Sequence, residues 1–95
     1  MNLLTEKEIQ KLRELAEALN RECSRIQTAI LNGDGSSDEL LKEVKMLSES
    51  IIRDPEKFLD EKGRSKSRII LIKAKLYNPD IIQLLNEVES ILESK

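Results

Sequence analysis

Residues 68 to 77 read RIILIKAKLY, four consecutive large aliphatics between basic side chains, and how this run folds decides the class of the whole chain. As a buried strand it would need hydrogen-bonded neighbours, and no other segment offers itself as a pairing partner. The composition of the 95 residues also points away from sheet: Gly, Pro and aromatics are scarce, while 15 Leu and 11 Ile dominate the apolar set. The run therefore reads as a helix, and the fold class as all-α: a small antiparallel helical bundle forming a single domain over residues 1–95. At helical pitch Ile69, Ile72 and Leu76 form one apolar stripe, with Ile70, Ala74 and Tyr77 on another. A helix greasy on two sides is either central in its bundle or covered by a second subunit. Ile70, Ala74 and Tyr77 are accordingly the candidate protein interface.

Upstream, the first helix starts at Thr5, whose hydroxyl can accept an orphan backbone N–H while Glu8 reaches back, with Leu4 placed to staple against Ile9. Ile9, Leu12, Ala16, Leu19, Cys23, Ile26 and Ile30 then alternate spacings of three and four, and Leu15 and Ala29 widen the same face. Asn32 and Gly33 supply residues suited to ending that helix, and Asp34 and Gly35 continue the turn. Ser36 with Glu39 forms a second candidate capping box, after which Leu40, Val44, Leu47 and Ile51 carry the second helix to about Arg53. The two make an antiparallel hairpin of unequal arms, about 39 and 25 Å at ~1.5 Å per residue. The overhang exposes the N-terminal third of the first helix, around Ile9 and Leu12.

Asp54 followed by Pro55 reads as an N-cap and first helical residue, giving a short turn through Phe58 and Leu59 that covers the overhang and that Gly63 can terminate. Residues 62–67 then read as a loop before the third main helix. Asn78 followed by Pro79 repeats the start signal for the last helix, whose inner stripe is expected at Ile81, Leu84, Val88 and Ile91.

Charge is distributed unevenly. Between residues 62 and 79 lie six basic side chains, Lys62, Arg64, Lys66, Arg68, Lys73 and Lys75, and no acidic one, which leaves ten Lys and Arg against all 18 Asp and Glu elsewhere. Such a block meets a partner of opposite sign: nucleic acid, an acidic protein surface, or the chain's own acidic helices. On the helix, Arg68 and Lys75 fall on one face and Lys66 and Lys73 on nearly the opposite one, which suits solvated edges flanking two apolar stripes better than a single phosphate track. Lys62, Arg64 and Lys66, in a glycine-containing loop, are the candidate phosphate ligands. With Phe58 directed to the core, few rings remain to stack on single strands.

Chemistry has little to work with. The chain has no His, and its one Cys, Cys23, falls on the inner seam of the first helix, where a small buried thiol is a packing residue. The Glu and His pattern of di-metal bundles and thiolate zinc sites are both out of reach. Gly33, Gly35 and Gly63 form no phosphate-binding loop. No apolar run approaches the ~20 residues a membrane span needs, and the first residues lack the basic segment and apolar stretch of a secretory signal, so none is expected. The expected function is a non-catalytic helical protein–protein interaction module, a small accessory subunit of a larger cytoplasmic complex that could act on nucleic acid. Its partner would be another protein or a second copy of itself. The alternative is a small dimeric nucleic-acid-binding protein using segment 62–75, and the least favoured is an all-helical enzyme acting on an anionic substrate. No catalytic residue, cofactor, metal, membrane or small-molecule substrate is expected.

Overall fold

The computed structural model describes residues 5–30, 38–76 and 78–94, with the side chains of 27–30 and 38 outside that description. These residues form five helices and no strand: α1 (Glu6–Ile30), α2 (Asp38–Arg53), α3 (Pro55–Asp60), α4 (Lys62–Lys75) and α5 (Pro79–Glu93). The RIILIKAKLY run is helical through Lys75, and the chain is all-α as its composition demands.

The local start signals act as they read. Thr5 Oγ1 accepts the Glu8 N–H at 3.2 Å and Glu8 Oε1 accepts the Thr5 N–H at 3.0 Å, a reciprocal cap on α1. Asp54 Oδ1 accepts the Lys57 N–H at 3.1 Å, and Asn78 Oδ1 accepts the Ile81 N–H at 3.0 Å, each with Pro at the first helical position. Leu4, the 32–35 turn and the Ser36 cap lie outside the described residues.

The α1 seam is the spine of the core. Leu12, Ala16, Leu19 and Cys23 are fully buried and Leu15 nearly so, with Ile9 and Ile26 packed at either end. α2 lays Leu41, Val44, Leu47 and Ile51 against it, with Leu40 at the edge. The register of the hairpin carries a polar marker. Asn20 Nδ2 donates to the fully buried Ser48 Oγ at 3.3 Å, and Ser48 Oγ donates to the Lys45 carbonyl at 2.7 Å. Asn20 stands ten residues before the end of α1 and Ser48 ten residues after the start of α2, as an antiparallel hairpin requires. Sliding α2 by one turn would strip the buried hydroxyl of that donor, so this bond favours one register.

α5 closes the far side, packing on α1 and on α4. Its inner stripe is Ile81, Leu85, Val88 and Leu92, with Leu84 and Ile91 only half-buried beside it. The face is rotated from the 81–84–88–91 stripe that spacing predicts. Both stripes satisfy helical periodicity, and contact with α1 and α4 together selects between them.

α3 packs against α1 as well as α2, through buried Phe58 and Leu59. The expected loop at 62–67 does not exist. The Ser65 N–H donates to the Glu61 carbonyl at 2.9 Å and the Glu61 N–H to the Lys57 carbonyl at 3.2 Å, so only Glu61 separates α3 from α4. α3 and α4 form one arm with a bend at a single residue. Gly63 lies inside α4 with a negative φ, and a Cβ placed there would meet nothing within 4 Å. It is neither a terminator nor a close-approach residue. α4 then buries Ser65, Ile69, Ile72 and Leu76 toward α2 and α5.

Candidate functional site

At 100° per residue, burial of Ser65, Ile69, Ile72 and Leu76 fixes how α4 presents its remaining side chains. Directly opposite the buried stripe stand Ser67, Ile70, Leu71 and Ala74, all exposed. Ile70 is 57% and Leu71 48% exposed; with Met46 on α2 they are the large apolar side chains left in solvent among the described residues. Ile70 and Ala74, expected at an interface, thus lie on an uncovered face, while Tyr77 lies outside the described residues.

The six bases of the block divide around this face. On the α5 side, Lys73 Nζ donates to Glu89 Oε1 at 2.5 Å and to Asn86 Oδ1 at 2.9 Å, and Lys66 Nζ lies 3.9 Å from Glu93 Oε1. Lys73 and Glu89 are both largely shielded, whereas Glu93 is well exposed and its pairing with Lys66 correspondingly weak. Lys62 is half-buried on the same side. Two of the six bases are therefore joined to the chain's own acidic helix, and the expected loop triad Lys62, Arg64 and Lys66 is not a flexible unit. These three sit on a helix, with Arg64 turned about 160° from Lys66.

On the other side Arg64, Arg68 and Lys75 are exposed. Arg64 and Arg68 reach a cleft of about 200 Å³ between α2, α3 and α4, where Arg53 from the end of α2 and Lys57 from α3 join them. No ion pair holds any of these four side chains among the described residues. Two carboxylates, Asp54 and Glu61, share the lining, and Asp54 is occupied in capping α3. Arg53 and Lys57 fall outside the 62–75 block. What could have identified them is the short α3 itself, which folds their segment back beside the start of α4.

Cys23 is fully buried on the α1 seam, away from this cleft. Desolvation pushes its thiol up to about 11, with the Lys45 charge pulling the other way and Glu22 adding to the rise. It is a poor nucleophile at neutral pH. At neutral pH the thiol is largely protonated in folded and unfolded chains alike and hardly affects the balance between them. Between about 9 and 11 the unfolded chain gains by ionising while the folded one does not, so stability falls as pH rises. Relative to Cys23→Ala, the wild type should lose about 2–3 kcal/mol from pH 8 to pH 11, measured by urea unfolding of both proteins. A constant difference between them across that range would contradict the burial of the thiol.

Among the described residues no group of three or more His, Cys, Asp or Glu could hold a metal ion, and no helix is long and apolar enough to cross a membrane. What the arrangement provides is an apolar helix face edged by unpaired bases, beside a polar cleft rich in guanidinium groups. Comparisons with protein-family models, with curated proteins and with solved structures match this chain to none of them.

Proposed function

We propose that the protein is a non-catalytic helical interaction module, an accessory subunit that docks a larger protein through the outward face of α4. The observation that carries this is the exposure of two large aliphatic side chains, Ile70 and Leu71, on the solvent side of a helix that buries only its Ser65, Ile69 and Ile72 stripe, with Arg64, Arg68 and Lys75 unpaired along one edge. An apolar stripe in solvent is stabilised by being covered. The basic edge selects an occupant whose own apolar stripe is bordered by Asp and Glu, such as an acidic amphipathic helix. The rest of this chain is acidic, so a second copy could also meet that requirement, and a cytoplasmic complex is the setting envisaged.

The test compares wild type with Ile70→Glu, a substitution at a solvent-facing position that leaves the fold intact. Full-length protein recovered from its own cells should bring a defined protein partner, in amounts insensitive to nuclease and reduced by salt. The variant should lose that partner at least tenfold while melting as the wild type does. Equal recovery by both would dismiss the α4 face as the docking surface.

A second reading, nucleic-acid binding, draws on the four unpaired bases Arg53, Lys57, Arg64 and Arg68 at one cleft. It differs in its signature: partners would vanish on nuclease treatment, and neutralising Arg64 and Arg68 would lower the salt slope by about one for each phosphate no longer neutralised.

A further inference from the structure

We infer that the cleft between α2, α3 and α4 is a binding site for a phosphoryl group, either free phosphate or the phosphate of a small phosphomonoester. Its four bases come from three separate helices: Arg53 from α2, Lys57 from α3, and Arg64 and Arg68 from α4. Bringing four cations together raises the free energy of the fold unless negative charge is supplied. Elsewhere this chain supplies it internally, pairing Arg25 with Glu22 at 2.7 Å and Lys73 with Glu89. In the cleft two carboxylates, Asp54 and Glu61, share the lining, but neither forms an ion pair with any of the four bases. Four bases against two acids leave a formal charge of +2, which matches a phosphoryl group carrying about −1.5 to −2 near neutral pH.

Two further features point the same way. α4 opens without a side-chain cap, since Glu61 at its N-cap makes no such bond, and Glu61, Arg64 and Ser65 from this opening turn line the cleft. The first N–H groups of the helix, together with its dipole, are therefore directed to the neighbourhood of an incoming anion. Ser65 is 6% exposed and its hydroxyl makes no hydrogen bond among the described residues; since no buried side-chain oxygen there lacks a partner, this one is open to solvent and can donate to a phosphoryl oxygen. The two guanidinium groups on α4 are suited to bidentate capture of such oxygens. Size limits the ligand: at about 200 Å³ the cleft is below the ~300 Å³ at which pockets for whole cofactors begin, and it fits a charged headgroup.

The full chain would be titrated with inorganic phosphate and, separately, with O-phosphoserine at constant ionic strength, following backbone amides by NMR. The expected result is a saturable shift centred on Gly63, Arg64 and Ser65. Arg64→Gln with Arg68→Gln should weaken binding at least tenfold, and Lys62→Gln with Lys66→Gln less than twofold; both pairs are at solvent-accessible positions, and unchanged melting would verify their fold. Binding of phosphate alone would identify a free-ion site, and binding of both a site for the phosphoryl head whatever carries it. Non-saturating shifts with both probes, or equal weakening by the two double variants, would overturn the inference. Since the Ile70→Glu test reads protein capture and this one reads phosphate, failure of either leaves the other standing.

Discussion

Glutamate in place of Ile69 or Ile72 unfolds the protein at 25 °C, whereas glutamate in place of the intervening Ile70 or Leu71 leaves its stability within about 0.5 kcal/mol. Ile69 and Ile72 are fully buried, and an unpaired carboxylate at either position would cost at least about 4–5 kcal/mol, most of what a domain of this size has. Ile70 and Leu71 face water, and a charge there displaces nothing. The pattern of harm, two tolerated positions flanked by two lethal ones, belongs to a helix buried on one side. A strand would alternate, with positions 69 and 71 sharing one outcome and 70 and 72 the other. Thermal melts of the four variants by circular dichroism distinguish the cases, and alternation would refute the helical reading of RIILIKAKLY.

Phe58→Ala is expected to cost about 3–5 kcal/mol. α3 has six residues, too few to be helical on its own account, and packing against α1, α2 and α4 is what holds it. Phe58 is the largest side chain it buries, and it also lines the cleft. Its loss should lower the urea midpoint sharply and, where the fold survives, weaken phosphate binding as well, because Lys57 and the start of α4 are positioned through it. A variant less than about 1 kcal/mol weaker than wild type would mean that α3 is a passenger on the bundle.

Much of this was legible in local sequence because local chemistry determines it. The Thr5–Glu8 box, the Asp54–Pro55 and Asn78–Pro79 starts and the α1 seam each involve residues within a few positions of one another, and each forms where the spacing predicts. Gly63 misled for a physical reason. Glycine permits a left-handed terminus without requiring one, and burial of Ser65 and Ile69 against α2 and α5 favours continuing the helix through it. The stripe on α5 was ambiguous because 81–84–88–91 and 81–85–88–92 are equally periodic, and only tertiary contact distinguishes them. The Asn20–Ser48 bond and the gathering of Arg53 and Lys57 with Arg64 and Arg68 join residues far apart in the chain, and spacing alone carries no trace of either. The basic block was visible as a unit; its division into bases bound to α5 and bases left unpaired depends on where α5 lies.

The fold leaves one side of α4 uncovered, and solvent paramagnetic relaxation of the Ile and Leu methyl groups tests this most directly. With a soluble paramagnet and a dilution series, the methyls of Ile70 and Leu71 should broaden strongly at the lowest concentrations while those of Ile69 and Ile72 stay sharp. If Ile70 and Leu71 were as protected as Ile69 at every dilution, the face would be part of the monomer's own core, and no docking surface would exist there.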